Sequence, residues 1–114
     1  MRRRAAAEIG PVGAFEEQVM LAVLRTGGEA YGMNVRREIE EVTGRDVAIG
    51  SVYITLDRLE EKGLVASDRA VLGDGSSRRV FQVTPAGARA LEETRAMRER
   101  LWRGVRLERL LEGA

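Results

Sequence analysis

Four polar side chains within eight residues form the group in this sequence that is best suited to bind a ligand. They are two hydroxyls, a phenol and a guanidinium, from Ser51, Tyr53, Thr55 and Arg58. Such groups hydrogen-bond to base edges or phosphates, and none is buried without cost unless it finds a partner. Apolar residues at helical spacing interleave with them, at Val52, Leu56 and Leu59. We therefore predict a helix with one buried face and one polar face, which is typical of DNA recognition and also of ordinary amphipathic helices.

The composition restricts the classes of function that are open to the chain. A length of 114 residues suits one domain with a modest core. The absence of cysteine and histidine excludes disulfides, thiolate metal sites and catalysis by a cysteine or histidine side chain. The sequence also lacks a glycine-rich phosphate loop and paired catalytic carboxylates, so we predict a protein that is not an enzyme and needs no metal or cofactor.

The charge balance does not by itself indicate nucleic-acid binding, because 19 Lys+Arg and 18 Asp+Glu leave a net charge of +1. All but one of the cations are arginine, which suits bidentate contacts to phosphate and guanine. Residues 1–13 carry three arginines directly after Met1 and lack the apolar core of a signal peptide, so they are expected to form a flexible basic arm. No apolar run approaches the ~20 residues that cross a bilayer, and we expect a cytoplasmic protein without membrane contact.

Two helices are predicted before the polar one. The first runs from Phe15 to Arg25, and the second from Ala30 to Thr43 with Gly44 as its C-terminal cap. The first helix carries apolar residues on most of its faces, so more than one face must be buried. The second apolar face would pack against either a partner subunit or the rest of a tightly wrapped monomer core. The second and third helices, joined by a few residues, would form a helix-turn-helix.

A β-hairpin is predicted directly after the third helix. The residues after Gly63 as far as Leu72, and those from Arg78 to Val83, have extended patterns, and the turn-rich sequence GDGSS separates them. This order of elements defines a winged helix-turn-helix, mainly α with a small β-hairpin, over residues 14–83. Arg78 and Arg79 would contact the DNA backbone or minor groove from the hairpin.

The last element, residues 84–114, is predicted to be one long dimerisation helix. Thr84 is a good N-cap, Pro85 suits the first helical position, and the helical pattern continues to about Glu112. A helix of this length cannot bury its far end against so small a core, and its apolar residues become denser toward that end. We therefore predict a homodimer whose interface includes Phe15, Val19, Leu101, Trp102 and Val105.

Several motifs together make the chain resemble the PadR family of bacterial transcriptional regulators, in particular its shorter members with a single C-terminal helix. They are Ala30-Tyr31-Gly32, Gly50-Ser51-Val52-Tyr53, the segment LDRLEEKGL over 56–64, and Thr84-Pro85-Ala86-Gly87. The resemblance implies a homodimeric repressor that binds double-stranded DNA at an inverted-repeat operator. The residues that it places at the DNA are Tyr31, Ser51, Tyr53, Thr55, Arg58, Arg78 and Arg79. It also implies that Trp102 could stack on a small aromatic effector in a pocket at the dimer interface.

Three departures from the family pattern bear on DNA affinity. Ala48 stands where a serine N-cap is common, and Ile54 stands where many relatives have proline. Acidic residues such as Asp57, Glu60 and Glu61 lie near the proposed surface and oppose phosphate binding. A winged-helix module that binds protein rather than DNA is therefore the alternative, and the sequence leaves repression and activation equally open.

Overall fold

The computed structural model describes residues 10–71 and 73–113, so most of the predicted basic arm lies outside the described residues. The arm was expected to extend to residue 13, but Val12 is buried and its N–H donates to the Thr94 hydroxyl at 3.0 Å. Val12 is therefore part of the packed domain rather than of an arm.

The described elements follow the predicted order of a winged helix. The helices are α1 (Ala14–Thr26), α2 (Gly32–Thr43), α3 (Ile49–Glu61), α4 (Pro85–Trp102) and α5 (Glu108–Glu112), with a 3₁₀ turn at Gly27–Glu29. The strands β1 (Val65–Val71) and β2 (Ser77–Val83) form an antiparallel hairpin, which is the wing. The predicted fold class, mainly α with a small β-hairpin, is confirmed. No helix of the described residues is both long enough and apolar enough to cross a membrane.

The core lies where α1, α2 and α3 meet the base of the wing. The predicted apolar face of α3 is confirmed, because Val52, Leu56 and Leu59 are completely buried. Phe81 from β2 is buried in the same cluster. Val19 is also 0 % exposed, so its predicted place at a dimer interface is wrong: it packs inside the monomer.

Side chains of α2 hold the connection that leads into α3. Arg36 Nε donates to the carbonyl of Val47 at 2.8 Å, and Glu40 accepts from the Val47 N–H at 2.9 Å. Gly44 ends α2 in the left-handed conformation, with φ of 72°, as predicted. Ala48 occupies the N-cap position of α3 without a side-chain hydrogen bond. The start of α3 is therefore fixed by tertiary contacts to α2 rather than by its own cap.

The wing is attached to the helical domain through the segment before α2. The N–H of Phe81 donates to the Ala30 carbonyl at 2.8 Å, and Tyr31 forms an isolated antiparallel bridge with Val80. This contact adds a minimal third strand to the hairpin. It anchors a two-stranded element that would be only marginally stable alone.

The Thr84-Pro85-Ala86-Gly87 motif joins α4 to the end of α3. The Thr84 hydroxyl accepts from the Gly87 N–H at 3.0 Å and donates to the Gly63 carbonyl at 2.7 Å. A Cβ on Gly87 would lie 2.1 Å from the carbonyl oxygen of Leu64, which is a severe overlap with backbone. This glycine therefore permits the close approach of α4 to the chain that follows α3.

The prediction of one helix from Pro85 to Glu112 is wrong, because the helix stops at Trp102. Arg103 is extended and Gly104 has φ of 80°, a conformation that favours glycine and ends a helix. A five-residue helix, α5, follows after a short connection. The apolar side chains of this region are nonetheless exposed: Leu101, Trp102, Val105, Leu107, Leu110 and Leu111.

We predict that Gly87→Ala lowers the free energy of unfolding by about 1–3 kcal/mol, because its methyl group must displace the backbone at Leu64. Urea unfolding followed by circular dichroism would measure the change. Gly50→Ala is the matched control, since Gly50 is also helical and a Cβ there would meet nothing within 4 Å. The control should be neutral or slightly stabilising. Equal stability of the Gly87→Ala variant and the wild type would contradict the proposed role of this glycine.

Candidate nucleic-acid interface

The exposed face of α3 differs in one position from the face that the sequence predicts. Ser51, Tyr53 and Arg58 are exposed as expected, and so is Ile54, with 57 % of its surface accessible. Thr55 is only 7 % exposed, so the expectation that it lies on the polar face is wrong. It follows Val52 by three residues and precedes Leu59 by four, which places it beside the buried stripe of the helix.

Tyr53 packs against the first turn of α2. A Cβ on Gly32 would lie 2.3 Å from both the Cζ and the hydroxyl oxygen of the Tyr53 ring, so only glycine leaves room for the ring in this position. Two of the sequence motifs, one around Gly32 and one around Tyr53, are thus the two sides of a single contact. The contact holds the Tyr53 ring against α2, and the part of the ring that does not touch α2 is exposed.

Arg78 and Arg79 are neighbours in the sequence but serve opposite faces of the wing, because successive side chains of a strand alternate. The Arg78 guanidinium lies over the Tyr31 ring, with Cζ 4.3 Å from the ring centroid, which is a cation–π contact. Arg78 is exposed and forms no ion pair within residues 10–71 and 73–113. Its charge is therefore available to an anion, and Tyr31 supports it from below.

Arg79 lies on the other face and contacts α3. One terminal nitrogen is 2.9 Å from Asp57 Oδ1, the other is 2.5 Å from Glu60 Oε1, and Nε donates to the Ser67 hydroxyl at 3.1 Å. The guanidinium also lies over the Phe81 ring, 4.7 Å from its centroid. Partial burial alone would lower the pKa of Arg79, but its hydrogen bonds to Glu60 and Asp57 raise it above the ordinary value. The expectation that Arg79 is free to contact DNA does not match this arrangement.

Arg69 is a further cation of the wing that the sequence analysis does not single out. It is the register partner of Arg79 across the hairpin, it is exposed, and no ion pair engages it in the part of the chain that the structure describes. The hairpin register identifies it and, because directly opposed residues share one face, places it on the face of Arg79, opposite to Arg78. We use the term helix–wing surface for the exposed side chains of α3 and of the two faces of the wing, namely Ser51, Tyr53, Ile54, Arg58, Arg69 and Arg78.

The helix–wing surface combines three cations with hydrogen-bonding groups and one apolar side chain. The charge comes from Arg58, Arg69 and Arg78. None of the three forms an ion pair with another described residue. The acidic residues that oppose phosphate binding are partly neutralised, because Asp57 and Glu60 pair with Arg79. The described residues contain no cluster of acidic side chains suited to a metal ion. This surface can hold a polyanion and can donate hydrogen bonds, but it presents no arrangement for covalent chemistry.

A second exposed surface is apolar and lies on α1 and the C-terminal elements. Leu101, Trp102 and Val105 are exposed, as a dimer interface requires, whereas Phe15 is half-buried against the core. Leu21 and Leu24 of α1 are exposed as well and line a groove between α1 and α4. Arg98 and Glu17 form an ion pair of 2.6 Å between the same two helices.

The chain has the fold of a winged-helix protein, because a helix-turn-helix is followed by a wing. The helix–wing surface is formed by the third helix together with this wing. A family model described as "Transcriptional regulator PadR-like family" matches residues 20–93, which is more than half of the chain. The chain belongs to this PadR-like family of transcriptional regulators. The family consists of regulators and not of enzymes, in agreement with the sequence analysis.

One relative is similar in sequence, and solved structures are similar in fold. Transcriptional regulator Rv3488 of Mycobacterium tuberculosis is 43 % identical over 77 residues, which are 68 % of this chain and 70 % of the relative. A PadR-like regulator of Bacillus cereus has the same fold at 22 % identity, with a TM-score of 0.71 over 90 % of this chain and 95 % of the other. The Bacillus subtilis PadR, whose structure is a complex with operator DNA, matches at 18 % identity, with a TM-score of 0.58 over 72 % of this chain and 46 % of the other.

Proposed function

We propose that this chain is a DNA-binding regulator that acts in the cytoplasm as a homodimeric repressor at a pseudo-palindromic operator. The observation that carries the proposal is the helix–wing surface, where three arginines accompany the polar residues of α3 and form no ion pair with any described residue. The Bacillus subtilis PadR, which shares this fold, forms a complex with operator DNA, and this supports DNA as the partner. Repression itself rests on the family resemblance.

Each residue of the helix–wing surface has a role in this proposal. Arg58, Arg69 and Arg78 bind phosphates and supply most of the affinity, which makes binding dependent on salt. Ser51 and Tyr53 read base edges by hydrogen bonds. Ile54, as an exposed apolar side chain on the outer face of α3, suits contact with the methyl group of thymine. Tyr31 holds Arg78 in place at the edge of the surface.

The direct test is fluorescence anisotropy of two labelled duplexes across a salt series. One duplex comes from upstream of the gene that encodes this protein, and the other is the same sequence scrambled. Preference for the upstream duplex, with affinity that falls steeply as salt rises, is the expected result. If neither duplex binds even at low salt, the alternative of a protein-binding winged helix replaces the proposal.

We predict that Arg78→Met weakens binding to both duplexes and lowers the magnitude of the salt slope by about 0.9 for each bound protomer, because one phosphate contact per protomer is lost. For a dimer the change is about 1.8. Arg89→Met is the control, since Arg89 is an exposed arginine of α4 outside the helix–wing surface. An unchanged slope in the Arg78 variant would remove this arginine from the interface.

The dimer would form through the exposed apolar side chains of the C-terminal elements and of α1. Six large side chains between Leu101 and Leu111 are exposed to solvent, which is unfavourable for an isolated chain. A two-fold axis through such an interface would present two α3 helices to successive major grooves, roughly 34 Å apart.

We predict that the double variant Leu110→Asp/Leu111→Asp is monomeric and folded, whereas the wild type is a dimer. Both leucines are more than 70 % exposed in the single chain, so the charges disrupt association without entering the core. Analytical ultracentrifugation would measure the mass. Val42→Asp is the control, because Val42 is similarly exposed but lies on α2. A monomeric wild type, or a variant that remains dimeric, would contradict the proposed interface.

Trp102 remains the candidate for binding a small aromatic effector. It is the only tryptophan of the chain, and its side chain is 58 % exposed in the protomer, among the side chains of the proposed interface. We predict that planar aromatic compounds quench its fluorescence and release the labelled upstream duplex over the same concentration range. Quenching without release would indicate that Trp102 binds such compounds but does not transmit the signal to DNA.

A further inference from the structure

We propose that Arg79 is a positioning residue: it fixes the wing to the recognition helix α3 through Asp57 and Glu60, and it does not bind DNA phosphate. The inference rests on the proposed function, because it concerns the geometry with which the helix–wing surface meets a duplex. It assigns different roles to two adjacent arginines that the sequence presents as equivalent.

The contacts of Arg79 use all three of its nitrogens. The two terminal nitrogens bind carboxylates of α3, from Asp57 and Glu60, and Nε binds the Ser67 hydroxyl of β1. The Ser67 hydroxyl in turn donates to Glu60 at 2.9 Å, which closes the network. A planar guanidinium with its donors in fixed directions suits such a set of partners, and an ammonium group does not.

Arg79 also lies in the part of the hairpin where a contact with α3 most strongly restrains the position of the wing. It is the third residue of β2, close to the turn, whereas the contact of Phe81 with Ala30 holds the wing nearer its base. Tyr31 pairs with the edge of β2 at Val80, and its ring contacts Arg78 on the opposite face of the hairpin. The wing is thus held from both faces, and Arg79 provides the connection to the recognition helix itself.

Binding of Arg79 to phosphate would be unfavourable for the rest of the surface. If Arg79 turned to a phosphate and left Asp57 and Glu60, two carboxylates would face the DNA without a cation. Such carboxylates repel phosphate across the same short distances at which arginine attracts it. Arg58, Arg69 and Arg78 carry no comparable cost, because the described residues offer them no ion-pair partner.

The test replaces the whole network by neutral groups of similar shape, in the triple variant Asp57→Asn/Glu60→Gln/Arg79→Met. Its local charge changes from −1 to 0, so a loss of phosphate attraction cannot come from exposed carboxylates. Binding would be measured to a random 30-base-pair duplex and to an operator duplex selected from a random pool with the wild-type protein. Arg78→Met is the matched variant for an arginine that does bind phosphate.

We expect the triple variant to keep the salt slope of the wild type on the random duplex and to lose about ten-fold in its preference for the operator, because the wing is no longer held in register with α3. Arg79→Lys should lose the same preference, since lysine keeps the charge but not the planar fork. A slope that falls as in Arg78→Met would overturn the proposal, and so would full operator preference in the Arg79→Lys variant.

A measurement without DNA tests the network separately from the proposed function. In urea unfolding, Arg79→Met and Asp57→Asn/Glu60→Gln should be coupled, so that their combined effect on the unfolding constant differs at least about two-fold from the product of the separate effects. Independent effects would overturn the network. Failure of the wild type to bind either duplex at low salt would instead contradict the proposed function, and leaves the coupling result unaffected.

Discussion

Burial of one face of α3 is the constraint on which the rest of the structure depends. Val52, Leu56 and Leu59 are completely buried, and together they fix the rotation of the helix about its axis. That rotation decides that Ser51, Ile54 and Arg58 point outward and that Thr55 does not. It also turns Asp57 and Glu60 toward the wing, where Arg79 meets them. The hydrophobic effect thus selects which polar groups remain available, although it acts on none of them directly.

The local features of the chain could be predicted from its sequence because each depends on residues close together. The apolar stripe of α3, the glycine at the end of α2 and the threonine–proline start of α4 all rely on short-range rules. The prediction for Thr55 is wrong because its hydroxyl suggests a binding role, although its helical spacing from Leu59 indicates burial. The end of α4 was also predictable in principle, since Gly104 is a typical position for a helix to stop.

The candidate site depends more on tertiary register, which the sequence alone does not specify. Strand alternation indicates that Arg78 and Arg79 face opposite sides, but not which side faces α3. Only the folded chain brings Arg79 to Asp57, which precedes it by 22 positions in the sequence. In the same way, the contact between Gly32 and Tyr53 depends on the crossing of α2 and α3. The role of Arg69 requires the hairpin register.

The near-zero net charge of the chain is compatible with a basic surface because the charges are sorted by ion pairing. Glu16 pairs with Lys62, and burial would raise the pKa of this carboxyl, but hydrogen bonds from Lys62 and the Gly13 N–H hold it below the ordinary value. Glu38 and Glu17 pair with arginines of their own, and Arg79 engages two carboxylates of α3. These ion pairs do not involve Arg58, Arg69 or Arg78. Net charge therefore does not describe such a surface, because it sums over charges throughout the chain, whereas an approaching phosphate responds mainly to the charges nearest to it.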